Sequence, residues 1–213
     1  MHKFLRLLLA SLSVTVSVTF LAAAAQAAPK IPPSILVFGD SLSSAYGIAE
    51  RRGWVALLEE RLKRDQLAWG VVNASISGET TSGGRSRLGR ALEEHRPAVV
   101  VIELGGNDGL RGLPIAEMKK NLAAMIEQSQ KSGARVLLVA TRMPPNYGPD
   151  YTQAFDGAFA ELAKRHRAAL VPYLFEGFGE KIELFQPDRI HPTEAAQPLI
   201  LQNVWPALRP LLK

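Results

Sequence analysis

Among the four histidines of this 213-residue chain, His191 stands where it can do chemistry. It lies in PDRIHPTE, the last polar loop before a C-terminal helix pattern, with Asp188 three residues earlier. In a turn, that spacing brings a carboxylate to one imidazole nitrogen, where it fixes the tautomer and stabilises the imidazolium when it forms. The same two residues would serve equally well to order the loop. His95, in EEHRP, falls at a helix end, and a solvated or dipole-facing place is expected for it. His166, in AKRHRA, falls on a charged helix face and is expected in solvent. Ser41, in FGDSLS, is the candidate nucleophile, since a serine hydroxyl needs a base to take its proton. Alone, Ser41 reads more readily as a helix N-cap, although Asp40 beside it can fill that role and leave the serine free. Two more loops offer donors to a developing oxyanion. Gly78, in SISGET, lets a bare backbone N–H approach a ligand, and Asn107, in GGNDG, presents a side-chain amide between glycines. A tight turn at Gly78 and simple loop ordering by Asn107 are the structural alternatives.

These residues need elements to bring them together. Ser34–Gly39, Gly70–Asn73, Ala98–Leu104, Arg135–Ala140 and Leu170–Leu174 read as short, continuously apolar strands. Between and after them, apolar residues at helical spacing predict helices over Trp54–Asp65, Gly84–His95, Ile115–Ser132, Tyr151–Arg167 and Glu194–Leu212. Pro198 and Pro206 are expected to shorten or kink the last one. Uniformly apolar strands alternating with helices point to a five-stranded parallel sheet covered on both faces, a three-layer α/β/α sandwich. In such sheets ligands bind outside the carboxyl ends of the strands. All five candidate residues fall in loops that follow strands, as do most of the glycines.

Composition narrows the chemistry further. With no cysteine, the chain has no disulfide, thiolate nucleophile or cysteine zinc site. Lys3 and Arg6, an apolar run from Leu7 to Ala25 and the small-x-small triplet Ala25-Gln26-Ala27 read as a signal peptide over residues 1–27. An uncleaved membrane anchor is the alternative, since the run is about long enough to span a bilayer. Cleavage would start the mature domain, residues 28–213, at Ala28, with export to the periplasm, or secretion, and no lasting membrane anchor. Losing Lys3 and Arg6 takes 25 basic residues to 23 against 20 acidic ones, a balance of +3. Those charges are interspersed, as in EERLKRD, so nucleic-acid binding is not supported.

The segments FGDSLS, NASISGET, LGGNDG and DRIH resemble, in order and approximate spacing, the four sequence blocks of the SGNH (GDSL-type) hydrolases. There is no G-x-S-x-G elbow, so the chain does not look like an α/β-hydrolase. The resemblance implies a flavodoxin-like fold acting without metal or other cofactor. It implies Ser41 as nucleophile, His191 as base and Asp188 as its orienting partner. The N–H groups of Ser41 and Gly78 with the Asn107 amide form the implied oxyanion hole. Implied substrates are small-molecule or lipid acyl esters: fatty acyl esters, acyl-CoA, lysophospholipids and aryl esters. A monomer is expected. Leu110, Leu113, Ile115, Met143, Pro144 and Tyr147 are candidates to line an acyl groove, and ordinary packing is their alternative. Gly109 and Gly112 would hinge a closing loop. The rival activities are an acetyl esterase on sugars and a non-catalytic module holding an anion or a flavin phosphate.

Overall fold

The structure is a computed structural model that describes residues 32–213, so the leader expected over 1–27 lies outside the described residues. Its strands are β1 (Ser34–Gly39), β2 (Gly70–Asn73), β3 (Val99–Glu103), β4 (Arg135–Val139) and β5 (Ala169–Val171). The α-helices are α1 (Trp54–Arg64), α2 (Thr81–His95), α3 (Gly106–Leu110), α4 (Ile115–Lys131), α5 (Pro149–His166) and α6 (Gln197–Leu208). All strand pairs are parallel, in the order β2-β1-β3-β4-β5.

The layers follow from strand periodicity. Side chains alternate across the sheet, so Ile35, Val37, Val99 and Val101 face one way and Leu36, Phe38, Val100 and Ile102 the other. The first set packs with Trp54, Leu58 and Leu62 of α1 and Ile200 and Val204 of α6. The second packs with Leu88 of α2, Leu122 and Met125 of α4 and Phe155 and Phe159 of α5. The strand order reverses between β1 and β3. Chains leaving those two strands diverge to opposite sides and open a crevice above the sheet.

Several boundaries move for local reasons. α2 begins at Thr81, ahead of the expected Gly84, because Thr80 caps it: its hydroxyl accepts from the Gly83 N–H. Gly84 is inside that helix and lets it press on Leu104 and Phe38. β5 stops at Val171, since Pro172 has no N–H to give the ladder. The C-terminal helix is shorter than expected, with 3-10 turns at Glu194–Ala196 and Arg209–Leu211 on either side; Pro198 sits in its first turn and Pro206 inside it. Helix α3 is an addition, formed where GGNDG reads as loop. Among the described residues, no helix is long and apolar enough to cross a membrane.

Candidate active site

Ser41 stands two residues past the end of β1, but the next α-helix does not begin until Trp54. A coiled turn fills the interval, with Ala45 and Gly47 at φ of 62° and 73°. Asp40 organises it: its backbone carbonyl accepts from the Ser43 and Ser44 N–H groups, and its carboxylate accepts from the Leu42 N–H at 3.1 Å. The aspartate thus takes the capping work, and the serine hydroxyl is released from it.

That hydroxyl meets the far end of the chain. Ser41 Oγ lies 2.9 Å from His191 Nε2, and His191 Nδ1 lies 2.7 Å from Asp188 Oδ2. A carboxylate only accepts, so Nδ1–H donates to Asp188 and Nε2 is the acceptor for the serine proton. Asp188 also orders its own loop, because Oδ1 accepts from the Ile190 and His191 N–H groups at 2.9 and 3.0 Å. Both alternatives open to the pair are realised, one on each oxygen. Burial pushes the Asp188 carboxyl up, but the hydrogen bonds from His191 and Ile190 outweigh it and hold the group near 2. Gln186 ties the two loops: its amide donates to the Tyr46 carbonyl at 2.8 Å and to the Pro192 carbonyl at 3.2 Å. Tyr46 covers the imidazole with a tilted ring, centroids 4.4 Å apart. His95 and His166 close helices that feed strand starts, at the opposite edge. His166 is not in solvent as expected; its Nε2 is buried without a hydrogen-bond partner.

The expected oxyanion donors stand on the loops after β2 and β3. Asn107 is in α3 and gives one amide N–H to Asp40 Oδ2 at 2.9 Å, keeping the other. Gly78 turns at φ 78°, and its carbonyl accepts from Arg111 Nη2 at 3.0 Å. The Ser44 and Ser77 hydroxyls meet at 2.8 Å and join the Gly78 loop to the nucleophile loop. Buried Asp108 accepts from the Thr81 N–H at 2.8 Å and from its hydroxyl at 2.5 Å, locking α3 to the start of α2.

A groove of about 1040 Å³ runs from Ser41, Asn107 and His191 across the carboxyl ends of β3, β4 and β5. Leu110, Met143 and Pro144 line it. Leu113 and Tyr147 do not: Leu113 is exposed beyond α3, and Tyr147 braces the groove wall by donating its hydroxyl to the Leu110 carbonyl. Ile115 packs against the core. Gly109 is no free hinge, since it is helical and its open face is filled by Met143 and Phe155. Gly112, at φ 64°, has open space where a side chain would stand. The groove's aromatic wall, Tyr173, Phe175, Phe178 and Phe185, escaped sequence reading because its segment follows the last strand without periodicity. A cluster of four aromatics in a strand-end loop was the available signal. Among the described residues, no three His, Asp or Glu side chains converge as a metal site.

A profile of the GDSL-like lipase/acylhydrolase family matches residues 37–198. The chain is 51% identical to the esterase TesA of Pseudomonas aeruginosa over 179 residues, 84% of this chain and 89% of that one. It is 39% identical to the thioesterase 1/protease 1/lysophospholipase L1 of Escherichia coli K12, covering 92% and 90% of the two chains. A crystal structure of TesA superposes with a TM-score of 0.82 at 50% identity, over 84% of this chain and 99% of that one. Profile, relatives and the four blocks agree, and the chain belongs to the GDSL-like lipase/acylhydrolase family.

Proposed function

We propose that the protein hydrolyses fatty acyl esters and thioesters through an acyl-enzyme on Ser41. One observation carries this: the Ser41–His191–Asp188 hydrogen-bond chain opens into a groove whose lining joins Leu110, Met143, Phe175, Phe178 and Phe185 to charged residues such as Arg142 and Glu176. His191 Nε2 takes the Ser41 proton as Oγ attacks the carbonyl carbon. The imidazolium then gives that proton to the departing alcohol or thiol. A water, deprotonated by the same nitrogen, releases the acid and restores the serine. The backbone N–H groups of Ser41 and Gly78 and the second N–H of Asn107 stabilise the oxyanion. Leu110, Met143 and Phe175 favour a hydrocarbon chain over a sugar, because burying apolar area contributes about 25 cal/mol per Å². The relatives, an esterase and a thioesterase 1/protease 1/lysophospholipase L1, support the same reading. Residues 1–27 act as a cleaved signal, and the mature chain works as a periplasmic monomer on acyl esters.

The purified enzyme is tested on a chain-length series of p-nitrophenyl esters, on acyl-CoA and on lysophospholipid. Ser41→Ala is expected to lower kcat by about 10³-fold or more while the fold persists. A folded Ser41→Ala enzyme at wild-type rate sinks the mechanism, and turnover of acetyl esters alone sinks the fatty-acyl assignment. Intact mass of the same preparation, expressed with its leader in a bacterial host, checks for a chain beginning at Ala28.

A further inference from the structure

Beneath Ser41 two carboxyl groups are buried side by side. Asp40 is 2% exposed, and Glu103, at the end of β3, is 1%. The two sit on neighbouring strands, with Gly39 opposite Glu103 in register. Glu103 Oε2 accepts from the Ser43 hydroxyl at 2.8 Å and lies 3.4 Å from the Asp40 N–H. Gly39 makes room for it: a Cβ there would stand 2.7 Å from Glu103 Oε2 and 2.9 Å from Ser43 Oγ. Among the described residues, no lysine or arginine pairs with either carboxyl. The charged groups acting on Asp40 are Glu103 and the His191 imidazole, and the one acting on Glu103 is Asp40. On its other sides the pair meets only neutral groups, from Ser43, Leu42 and Asn107.

Two adjacent buried carboxylates without a cation cannot both ionise at ordinary cost, so one proton is retained. The hydrogen bonds say where. Each Asp40 oxygen accepts from a nitrogen that can only donate, Leu42 N–H on Oδ1 and the Asn107 amide on Oδ2. The Ser43 hydroxyl on Glu103 can donate or accept. We propose that Glu103 is held as the neutral acid so that Asp40 remains the anion that fixes the Asn107 amide. Both are positioning residues. Burial raises the Asp40 carboxyl to about 6, against its hydrogen bonds with Leu42 and Asn107. Burial, reinforced by the Asp40 charge, raises Glu103 well above the carboxylate range. This arrangement gives Ser43 and Glu103 a part in the reaction: they set the charge that aims one oxyanion donor.

The inference rests on the serine-hydrolase reading, but its main test does not depend on turnover. Infrared spectra of the whole protein at pH 7.5 are expected to contain the carbonyl stretch of a protonated carboxylic acid, lost in Glu103→Gln. Glu103→Ala is expected to lower kcat by up to about 10²-fold, the scale of a group misplaced by about 1 Å, with KM nearly constant. Glu103→Gln, a neutral isostere, is expected to recover most of that loss. Absence of the acid band from wild type, its persistence in Glu103→Gln, or a Glu103→Gln enzyme as slow as Glu103→Ala would each overturn the proposal. Should the variants fail to fold, the wild-type spectrum decides alone. An acid band in an enzyme that Ser41→Ala leaves fully active would sink the hydrolase reading and leave the proton assignment standing.

Discussion

Asp188 divides its two oxygens between architecture and chemistry, so an amide in its place separates the two. Asn at 188 can still accept from the Ile190 and His191 N–H groups through its oxygen. Its NH₂ would then face Nδ1 and force the imidazole proton onto Nε2, where it points at Ser41 instead of accepting from it. Asp188→Asn is therefore expected to lower kcat by about 10³–10⁴-fold with an unchanged circular-dichroism spectrum, read by steady-state kinetics. The triad was legible because its residue types are scarce and fall on one sheet edge: His191 is the histidine in a strand-end loop. Glu103 was not legible. In VVVIEL it reads as the polar end of a strand, and its neighbour Asp40 is 63 residues away in the chain.

Elements place these groups, and α3 is the least expected of them. Its five residues include two glycines, a composition that propensity assigns to loop. Contacts override propensity here: Gly105 turns at φ 118° to start it, and Asp108 anchors it to α2. Gly109 in its interior lies against Met143 and Phe155, so a methyl there meets Phe155 Cε2 at 2.6 Å. Helix propensity alone would make Gly109→Ala stabilising by about 1 kcal/mol. Overpacking wins, and the variant is expected to lose about 1–3 kcal/mol in denaturant unfolding. The order of strands and helices was readable from period and length, because buried parallel strands are uniformly apolar. The aromatic wall of the groove was not, since its loop owes its shape to packing between Phe175, Phe178 and Phe185.

For the molecule as a whole, pH pulls stability and activity apart. Asp188 is depressed to about 2, so its contribution is present above the ordinary value of 3.8 and fades as pH falls through 2. Asp40 is raised to about 6 and Glu103 is raised too; the folded state holds their protons more tightly, and that contribution fades as pH rises through 6 and beyond. The proposed oxyanion site needs Asp40 ionised to fix the Asn107 amide, and acid below about 6 protonates it. The thermal midpoint is thus expected to be higher at pH 5 than at pH 8, and kcat/KM the reverse. Calorimetry beside a pH–rate profile checks both, and a midpoint that rises between pH 5 and 8 would refute the assignment.

The hydrogen bond from Ser41 to His191 spans 150 residues of chain. At roughly 5–20 residues per second, a ribosome makes His191 about 8–30 s after Ser41. Until then the growing polypeptide carries a serine with nothing to activate it. Completion of the C-terminal loop is the step that brings the histidine to the serine, so an ester hydrolase assembled this way has no serine–histidine pair until its chain is nearly finished.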